Sequence, residues 1–377
     1  MTVRAGMART AAIGVAVLAV PALATGCRVT GTKAGPAPPA VTLQLATVED
    51  ADAEYIDDAR RFADEVGVLT NGSVTVTLLL EADAPWSPES EQRVTAMTKA
   101  GTTELAMVPP RVFDTIGIHG FEPLQTPFLI DSPELAGAIT TGDIATGMLA
   151  ELEQQGLVGL GLVYDGLRRP LAPHGALTAA DQFDGLLIRV PISGMTFDMF
   201  SALGAVADAG ANHRTATTGE LYPAMETQLD IAASDYPVGS TVTANVVFFP
   251  KFNVLLANPA AFARLSSDQQ GALRRAATDT VAAAVATTAD DEAMAQSFCE
   301  GGRRVVMAAG SEVGAMRARV APLVTRLRSD PATHRAVSAI EHLAGTLTIP
   351  PYRLPPACAP RTGDGAPLLT TPPPPGP

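Results

Sequence analysis

The chain has 377 residues, 47% of them hydrophobic, and carries a formal net charge of −13. This length is enough for two packed domains with separate cores. So acidic a surface argues against nucleic acid and anionic lipid as partners, but a local pair of arginines could still hold an anionic ligand in a buried cleft.

The N-terminus has the pattern of an export signal. Arg4 and Arg9 precede an apolar run at residues 11–23 that is too short to span a bilayer comfortably. The run ends in LATGC, which resembles a bacterial lipobox, although its leucine stands four places before Cys27 instead of the usual three. We expect Cys27 to be lipidated. The alternative is simple signal cleavage after Ala24.

The remaining chain divides by composition and by its pattern of strands and helices. Pro, Gly and Ala dominate the stretch after the signal, and proline dominates the end of the chain. No other apolar stretch is long enough for a membrane span. The predicted segments are a lipoprotein signal peptide at 1–26, a flexible tether at 27–40, a first lobe at 41–165 and about 250–296, a second lobe at 166–249 and about 297–345, and a disordered proline-rich tail at 346–377.

The first lobe opens with alternating strands and helices. VTLQLAT at 41–47 alternates as a strand does, and apolar residues then recur at three- and four-residue spacing from Tyr55 to Val66, which predicts a helix. A strand at 73–81, a helix ending at Lys99 and a strand at 103–109 follow. This β-α-β-α-β order indicates a parallel sheet with helices on its faces.

Later elements suggest that the chain passes between two lobes more than once. The apolar stretch at 121–130 contains prolines and is predicted to be an extended crossing; helices follow at 133–155 and a strand ends near Gly166. A second α/β set runs to about Phe249, and an Ala-rich helix is predicted from Ser266 to about Phe298. Lobes joined by several crossings behave as hinged halves, and ligand pockets favour such interfaces.

Arg189 is the most informative residue because it interrupts an apolar strand. FDGLLIRVP at 183–191 has the pattern of a core strand, and an arginine on such a strand needs a partner. Arg168 begins another extended segment, so both guanidinium groups could clamp a carboxylate. The alternative is that Arg189 pairs with an internal acid such as Asp184 or Asp230.

The two remaining cysteines and the absence of catalytic and metal-binding motifs limit the reactions that this chain could catalyse. Cys299 and Cys358 can form a disulfide in an exported protein, the alternative being two free thiols. The five histidines lack metal-ligand spacing, and the chain has neither a nucleophile elbow nor a phosphate-binding loop. We therefore expect no enzymatic activity, no cofactor and no metal site.

Several segments together resemble the DctP-type solute-binding proteins of tripartite ATP-independent periplasmic (TRAP) transporters. The likeness covers about residues 41–345, and FDGLLIRVP is its most specific part. The other segments are FADEVGVLTNGSVTV, TELAMVPPRVFD, LQTPFLID, QGLVGLGLVYDGLRR, GELYPAMETQLD and LLANPAAFARLSSDQQGALRRAA. The resemblance implies an α/β, two-lobed periplasmic-binding-protein-like fold, in which each lobe is a sheet flanked by helices and the ligand cleft lies between the lobes.

The resemblance also assigns roles. The arginine matching Arg189 holds the ligand carboxylate, and Arg168 matches a second basic pocket position. The usual V-D-G-x-E-N-P is replaced by LDIAASDYP, so the family's asparagine has Ser234, Asp235 or Tyr236 as its counterpart. If Asp235 faces the pocket it would repel a second carboxylate, which makes a monocarboxylate or polar, zwitterionic acid a better candidate than a C4-dicarboxylate.

The remaining candidates lie at the expected cleft rim, and the function follows from the family. Arg111 could face the cleft or lie on the surface, and Trp86 could contact ligand or pack as core. We expect a monomer that is anchored to the outer face of the cytoplasmic membrane by its lipid, binds no nucleic acid, and delivers a small organic acid to TRAP membrane subunits. The alternatives are a ligand-sensing module on the same scaffold and an ABC-type solute receptor.

Overall fold

Three parallel strands form one edge of a mixed sheet. They are β1 (Val41–Ala46), β2 (Val74–Leu79) and β3 (Leu105–Val108), linked by helices α1 (Ile56–Leu69) and α2 (Ser90–Ala100). β1 pairs with both β2 and β3, as the alternating pattern predicts. The computed structural model describes residues 40–51, 56–210, 222–229, 236–288 and 290–359.

The segment after β3 is more helical than its prolines suggest. Helix α3 (Arg111–Asp114) leads into a 3₁₀ helix at His119–Gln125, in place of the extended crossing expected there. The φ that Pro123 imposes is compatible with a helical turn, and that turn buries Phe121 and Leu124. Helices α4 (Pro133–Thr140) and α5 (Asp143–Gln154) follow.

Two long antiparallel strands run through the centre of the sheet. β4 (Val158–Ala172) pairs with β9 (Phe249–Ala257) along most of its length. Their register shifts between Tyr164 and Leu167, where Gly166 has a φ of +103° that favours glycine. The strand therefore continues beyond its predicted end near Gly166, because the bulge accommodates this glycine and the pairing with β9 resumes at Leu167.

Shorter strands complete the sheet beyond β4. They are β5 (Leu187–Arg189), β6 (Val206–Asp208), β7 (Ala224–Thr227), β8 (Thr241–Thr243) and β10 (Arg304–Val306), with helix α6 (Gly194–Leu203) between β5 and β6. Among the described residues the strand order is β2-β1-β3-β9-β4-β7-β5-β6, while β8 pairs with both β4 and β10. β7 thus lies between β4 and β5, the strands that carry Arg168 and Arg189.

The C-terminal part is mainly helical. Its helices are α7 (Pro259–Ala263), α8 (Ser267–Thr288), α9 (Asp291–Glu300), α10 (Gly310–Ser329) and α11 (His334–Thr346). The single helix expected from Ser266 to about Phe298 is divided in two. A new helix starts because the Asp290 side chain accepts a hydrogen bond from the Ala293 backbone N–H.

The beginning of the predicted tail has a defined place. Cys358 lies in a 3₁₀ helix at Pro356–Cys358 and is joined by a disulfide to Cys299 of α9. Tyr352 and Leu354 pack in the same hydrophobic cluster as Phe298. The structure therefore differs from the expected disorder over residues 347–359, because the disulfide and these apolar contacts hold the segment against α9.

Hydrophobic side chains cover both halves of the sheet. Phe248 is fully buried and forms edge-on contacts with Phe128, Phe183 and Phe200. Aromatic rings arranged in this way contribute beyond the area they bury. None of the described helices is both long and apolar enough to cross a membrane.

Candidate functional site

Arg168 and Arg189 occupy strands on either side of β7. In the sheet, Arg189 is opposite Met225, and the β7 residue Glu226 is opposite Pro170 of β4. Residues two apart on a strand share a face, so Arg168 lies diagonally across from Glu226 on the same face as Pro170. The topology thereby places both arginines beside one short strand.

Arg189 belongs to a group of charged residues from several elements. Burial lowers the pKa of its guanidinium, and the nearby carboxylate of Glu226 partly opposes that effect. Arg111, Tyr236 and Arg168 are also close enough for their charges to act on it. We call this group the arginine cluster; its members are Arg111, Arg168, Arg189, Glu226 and Tyr236.

Glu226 is the acidic member of the arginine cluster. Its side chain is 1% exposed, and its Oε2 atom lies 3.1 Å from Nη1 of Arg168. This pair is not aligned as a hydrogen bond: neither Glu226 Oε2 nor Arg168 Nε has a hydrogen-bond partner within the described parts of the chain. The pair is thus held by charge, and each residue keeps a buried polar atom able to bond a further group.

Arg111 reaches the cluster from the other half of the sheet. It follows β3 and forms a two-point ion pair with Glu91 of α2, with Nη2–Oε1 and Nε–Oε2 distances of 2.5 and 3.0 Å. Burial lowers the pKa of Arg111, but the charge and hydrogen bonds of Glu91 raise it further than burial lowers it. Glu226 acts on Arg111 in the same direction, which links the two halves of the sheet electrostatically.

A second polar group lies on the central strands beside the β4 bulge. Asp165 accepts hydrogen bonds from Lys251 Nζ at 2.8 Å and from Asn253 Nδ2 at 3.0 Å. Burial raises the pKa of Glu49, which follows β1, and Lys251 partly offsets that increase. Glu91, Arg111 and Asp165 also act on Glu49, so this group adjoins the arginine cluster.

Tyr236 supplies a hydroxyl group to the cluster. It is buried, and burial raises its pKa to about 12, with Thr227 hydrogen bonding and the charges of Arg189 and Arg168 acting in the opposite direction. The phenol therefore stays protonated at neutral pH and can donate a hydrogen bond.

Four of the predicted binding residues come together in the arginine cluster: Arg111, Arg168, Arg189 and Tyr236. Trp86 is 36% exposed, and no described contact connects it with the cluster. Ser234 and Asp235 lie outside the described residues, as do Cys27 and Asp230. Asp184, the other acid considered as a partner for Arg189, instead pairs with Arg319 at 2.6 Å.

The sequence analysis missed two carboxylates of the site, Glu226 and Asp165. Glu226 lies in AMET, a strand buried at every position, so the argument that singled out Arg189 applies to it equally. Asp165 and Lys251 gave no comparable signal, because they are brought together only by the pairing of β4 with β9. Among the described residues, no three His, Cys, Asp or Glu side chains are grouped so as to hold a metal ion.

Comparison with known protein families gives a match to one family model. The model of the DctP family, described as bacterial extracellular solute-binding protein family 7, matches residues 45–229. The matched segment is just under half of the chain. The segment contains β5 with Arg189 and β7 with Glu226, so the predicted resemblance is confirmed.

The curated proteins that resemble this chain are distant in sequence. The C4-dicarboxylate-binding periplasmic protein DctP of Rhodobacter capsulatus is 24% identical over 187 residues, which cover 50% of this chain and 53% of the relative. An uncharacterized protein of Haemophilus influenzae is 25% identical over 185 residues, covering 48% and 52%. The match thus spans about half the length of these curated relatives.

Solved structures show the fold over a longer stretch. A TRAP periplasmic solute-binding protein of Ralstonia eutropha with bound (S)-2-acetolactate has a TM-score of 0.72 at 17% identity, covering 81% of this chain and 98% of that one. The sugar acid binding protein DctPAm of Advenella mimigardefordensis, in complex with galactonate, has a TM-score of 0.69 at 21% identity, covering 82% and 99%. The predicted two-lobed periplasmic-binding-protein-like fold is confirmed.

Proposed function

We propose that this chain is the extracytoplasmic solute receptor of a TRAP-type transporter. It captures a small organic acid through Arg189 and Arg168 and delivers it to the membrane subunits. The observation that carries this proposal is the arginine cluster, in which the guanidinium groups of Arg111 and Arg168 lie near enough to Arg189 for their charges to act on it.

The chemistry of the cluster suits reversible binding of a carboxylate. A guanidinium accepts a carboxylate in two parallel charge-assisted hydrogen bonds, which are stronger where water is excluded. Arg168 retains a buried Nε–H without a partner among the described residues, and Tyr236 supplies a hydroxyl group. Closure of the lobes would remove the remaining water from around these bonds.

The ligands of related proteins support an organic acid. The Advenella protein is in complex with galactonate, and a Bordetella pertussis extracytoplasmic solute receptor binds pyroglutamic acid. The Rhodobacter relative is named for C4-dicarboxylates. These ligands share a carboxylate, which is the group that the arginine cluster is built to accept.

The remaining parts of the proposal concern location and catalysis. The signal pattern and Cys27 support a lipid anchor on the outer face of the cytoplasmic membrane, and comparing membrane fractions of the wild type and Cys27→Ser checks that anchor. We propose a binding role without catalysis, since the family is one of solute-binding proteins and the charged groups described here serve to hold an anion.

A ligand screen with a matched arginine variant tests the proposal. Thermal shift against a panel of organic acids should identify acids that raise the melting temperature by mass action. Calorimetry should then show that Arg189→Ala loses about 2–5 kcal/mol of binding free energy. The control is Arg326→Ala, which removes an exposed arginine paired with Asp198 and should bind as the wild type does. Full affinity in Arg189→Ala would overturn the assignment.

A further inference from the structure

Asp114 joins two segments that lie far apart in the chain. It is the last residue of α3, and its Oδ2 atom accepts hydrogen bonds from the Ser193 hydroxyl at 2.7 Å and from the Met195 backbone N–H at 3.2 Å. Ser193 directly precedes α6 and is fully buried. The carboxyl group of Asp114 therefore caps α6 from a different element, at the end of the helix where a negative charge is favourable.

This contact connects two hydrophobic clusters. Asp114 follows Phe113, which packs with residues of β1 and β3, while Met195 packs in a separate cluster with residues of β5. Gln125 of the 3₁₀ helix also takes part, since its Oε1 atom lies 3.1 Å from Ser193 Oγ. We call the group formed by Asp114, Gln125, Ser193 and Met195 the junction. It joins one cluster to the other through hydrogen bonds.

Each end of the junction is close along the chain to a member of the arginine cluster. Arg111 lies three residues before Asp114 in the single turn of α3. Arg189 lies four residues before Ser193, at the end of β5. Pro191 stands between them and fixes one backbone angle of this short link. A shift of the junction is therefore passed on to the two guanidinium groups.

We propose that Asp114 is a positioning residue of the binding site. By holding Ser193 and Met195, it fixes the segment of Arg189 relative to the segment of Arg111, and it sets the affinity for an acid without contacting that acid. The inference rests on the proposed function and deepens it, since it names a residue that controls the same site from outside.

A direct effect of charge would give the opposite result. If the negative charge of Asp114 acted on a bound anion, removal of that charge would strengthen acid binding. If Asp114 acts by position, loss of its hydrogen bonds weakens acid binding, whereas loss of its charge alone has little effect. The direction of the change in affinity thus separates the two explanations.

Two substitutions of Asp114 make this comparison. Asp114→Asn loses the charge but keeps an oxygen that can accept from Ser193 and Met195, whereas Asp114→Ala loses both. Calorimetry with pyroglutamate, galactonate and succinate at neutral pH measures the affinities. For each of these acids that the wild type binds, Asp114→Ala should weaken binding about tenfold, and Asp114→Asn should stay within about threefold of the wild type.

Ser193 supplies an independent variant with a matched control. Ser193→Ala removes the hydroxyl donor of the junction and should also weaken acid binding about tenfold. The control is Ser132→Ala. Both serines are buried and cap a helix, accepting a backbone N–H at 3.2 Å from Thr196 and Leu135 respectively. Both variants should therefore lower the melting temperature, but only Ser193→Ala should lower the acid affinity.

Hydrogen exchange tests the junction without any acid. The Val190 backbone N–H, in the link between Arg189 and Ser193, donates to the Asp208 carbonyl at 2.9 Å. In Asp114→Ala the amides of residues 187–193 should exchange about tenfold faster than in the wild type, because this segment has lost its anchor. Asp114→Asn and Ser132→Ala should exchange there as the wild type does.

Each result supports or overturns the inference. It is overturned if Asp114→Ala and Ser193→Ala bind acids as the wild type does, if both Asp114 variants bind acids more tightly, or if Asp114→Asn binds as weakly as Asp114→Ala. Unchanged exchange over residues 187–193 in Asp114→Ala also overturns it, and this holds if no acid is bound. In all these cases Arg189-dependent acid binding would leave the proposed function standing. A wild type that binds no acid would overturn the proposed function, and the inference with it.

Discussion

A partly buried carboxyl group makes the stability of this protein depend on pH. Asp58, in the first turn of α1, is a case outside the arginine cluster. Burial raises its pKa from the ordinary 3.8 to about 7, with Asp165 adding to the increase and Arg61 opposing it. The folded protein therefore keeps a proton on Asp58 over a range of pH in which the unfolded chain has released it.

The pH dependence of stability follows from that difference. Between about pH 4 and pH 7 the folded state binds more protons at Asp58 than the unfolded state does, so its contribution to stability is lost as the pH rises. Asp58→Asn, which stays neutral, should raise the melting temperature at pH 8 and flatten its fall between pH 4 and 7.

Thermal denaturation at several pH values checks this prediction. The matched control is Asp57→Asn, because Asp57 is exposed and pairs with Arg60 at 2.8 Å on the same helix turn. A surface pair of this kind contributes little to stability. Equal pH profiles for the wild type and Asp58→Asn would show that Asp58 is ionised at the same pH in the folded and unfolded protein.

At the scale of elements, the C-terminal segment depends on one covalent link. The disulfide between Cys299 and Cys358 closes a segment with a sequence separation of 59. Linking residues so far apart restricts the unfolded chain, and removal of such a bond costs about 2–5 kcal/mol. Replacing both cysteines by alanine should lower the free energy of unfolding by that amount.

Denaturant unfolding of the double variant measures the loss. Reduction of the wild-type protein with dithiothreitol should bring it to the same stability, while the double variant should not respond to the reductant. The link would have no stabilising role if the oxidised and reduced wild-type proteins unfolded at the same denaturant concentration.

The comparison of sequence with structure is also clearest at this scale. Period-two alternation identified β1 and β2, since one face of each strand packs on a helix. The same logic found Arg189, because a charge on an apolar strand stands out. This logic did not find Glu226, because β7 has only four residues. So short a strand has no apolar pattern against which a charged residue would stand out.

The sequence alone could not predict which strands pair when they lie far apart in the chain. The bulge between Tyr164 and Leu167 contains Asp165 and Gly166, which resemble a strand-ending turn when only the local sequence is considered. Their role depends on β9, more than eighty residues later, where Lys251 and Asn253 bond to Asp165. A single sequence contains the residues of this contact without showing that they meet.

At the scale of the whole molecule, the site draws its charges from both halves of the sheet. Arg111 and Glu91 follow or flank the parallel strands at one side, while Arg189 and Glu226 lie on strands beyond β4. In the sheet formed by the described residues, β4 and β9 pass through the centre between them. An anion bound to arginines from both sides would favour a closed arrangement of the two lobes, because only that arrangement lets both sets of charges reach it.

Small-angle X-ray scattering measures this closure. For an acid that raises the melting temperature, saturation should reduce the radius of gyration by about 1 Å, since hinge closure brings the lobes together. Arg189→Ala at the same acid concentration should keep the ligand-free value, and Arg326→Ala should close as the wild type does. A scattering curve that saturating acid leaves unchanged in the wild type, while calorimetry shows full occupancy, would mean that the receptor binds its ligand without moving its lobes. The membrane subunits would then have to recognise the bound acid by some means other than lobe closure.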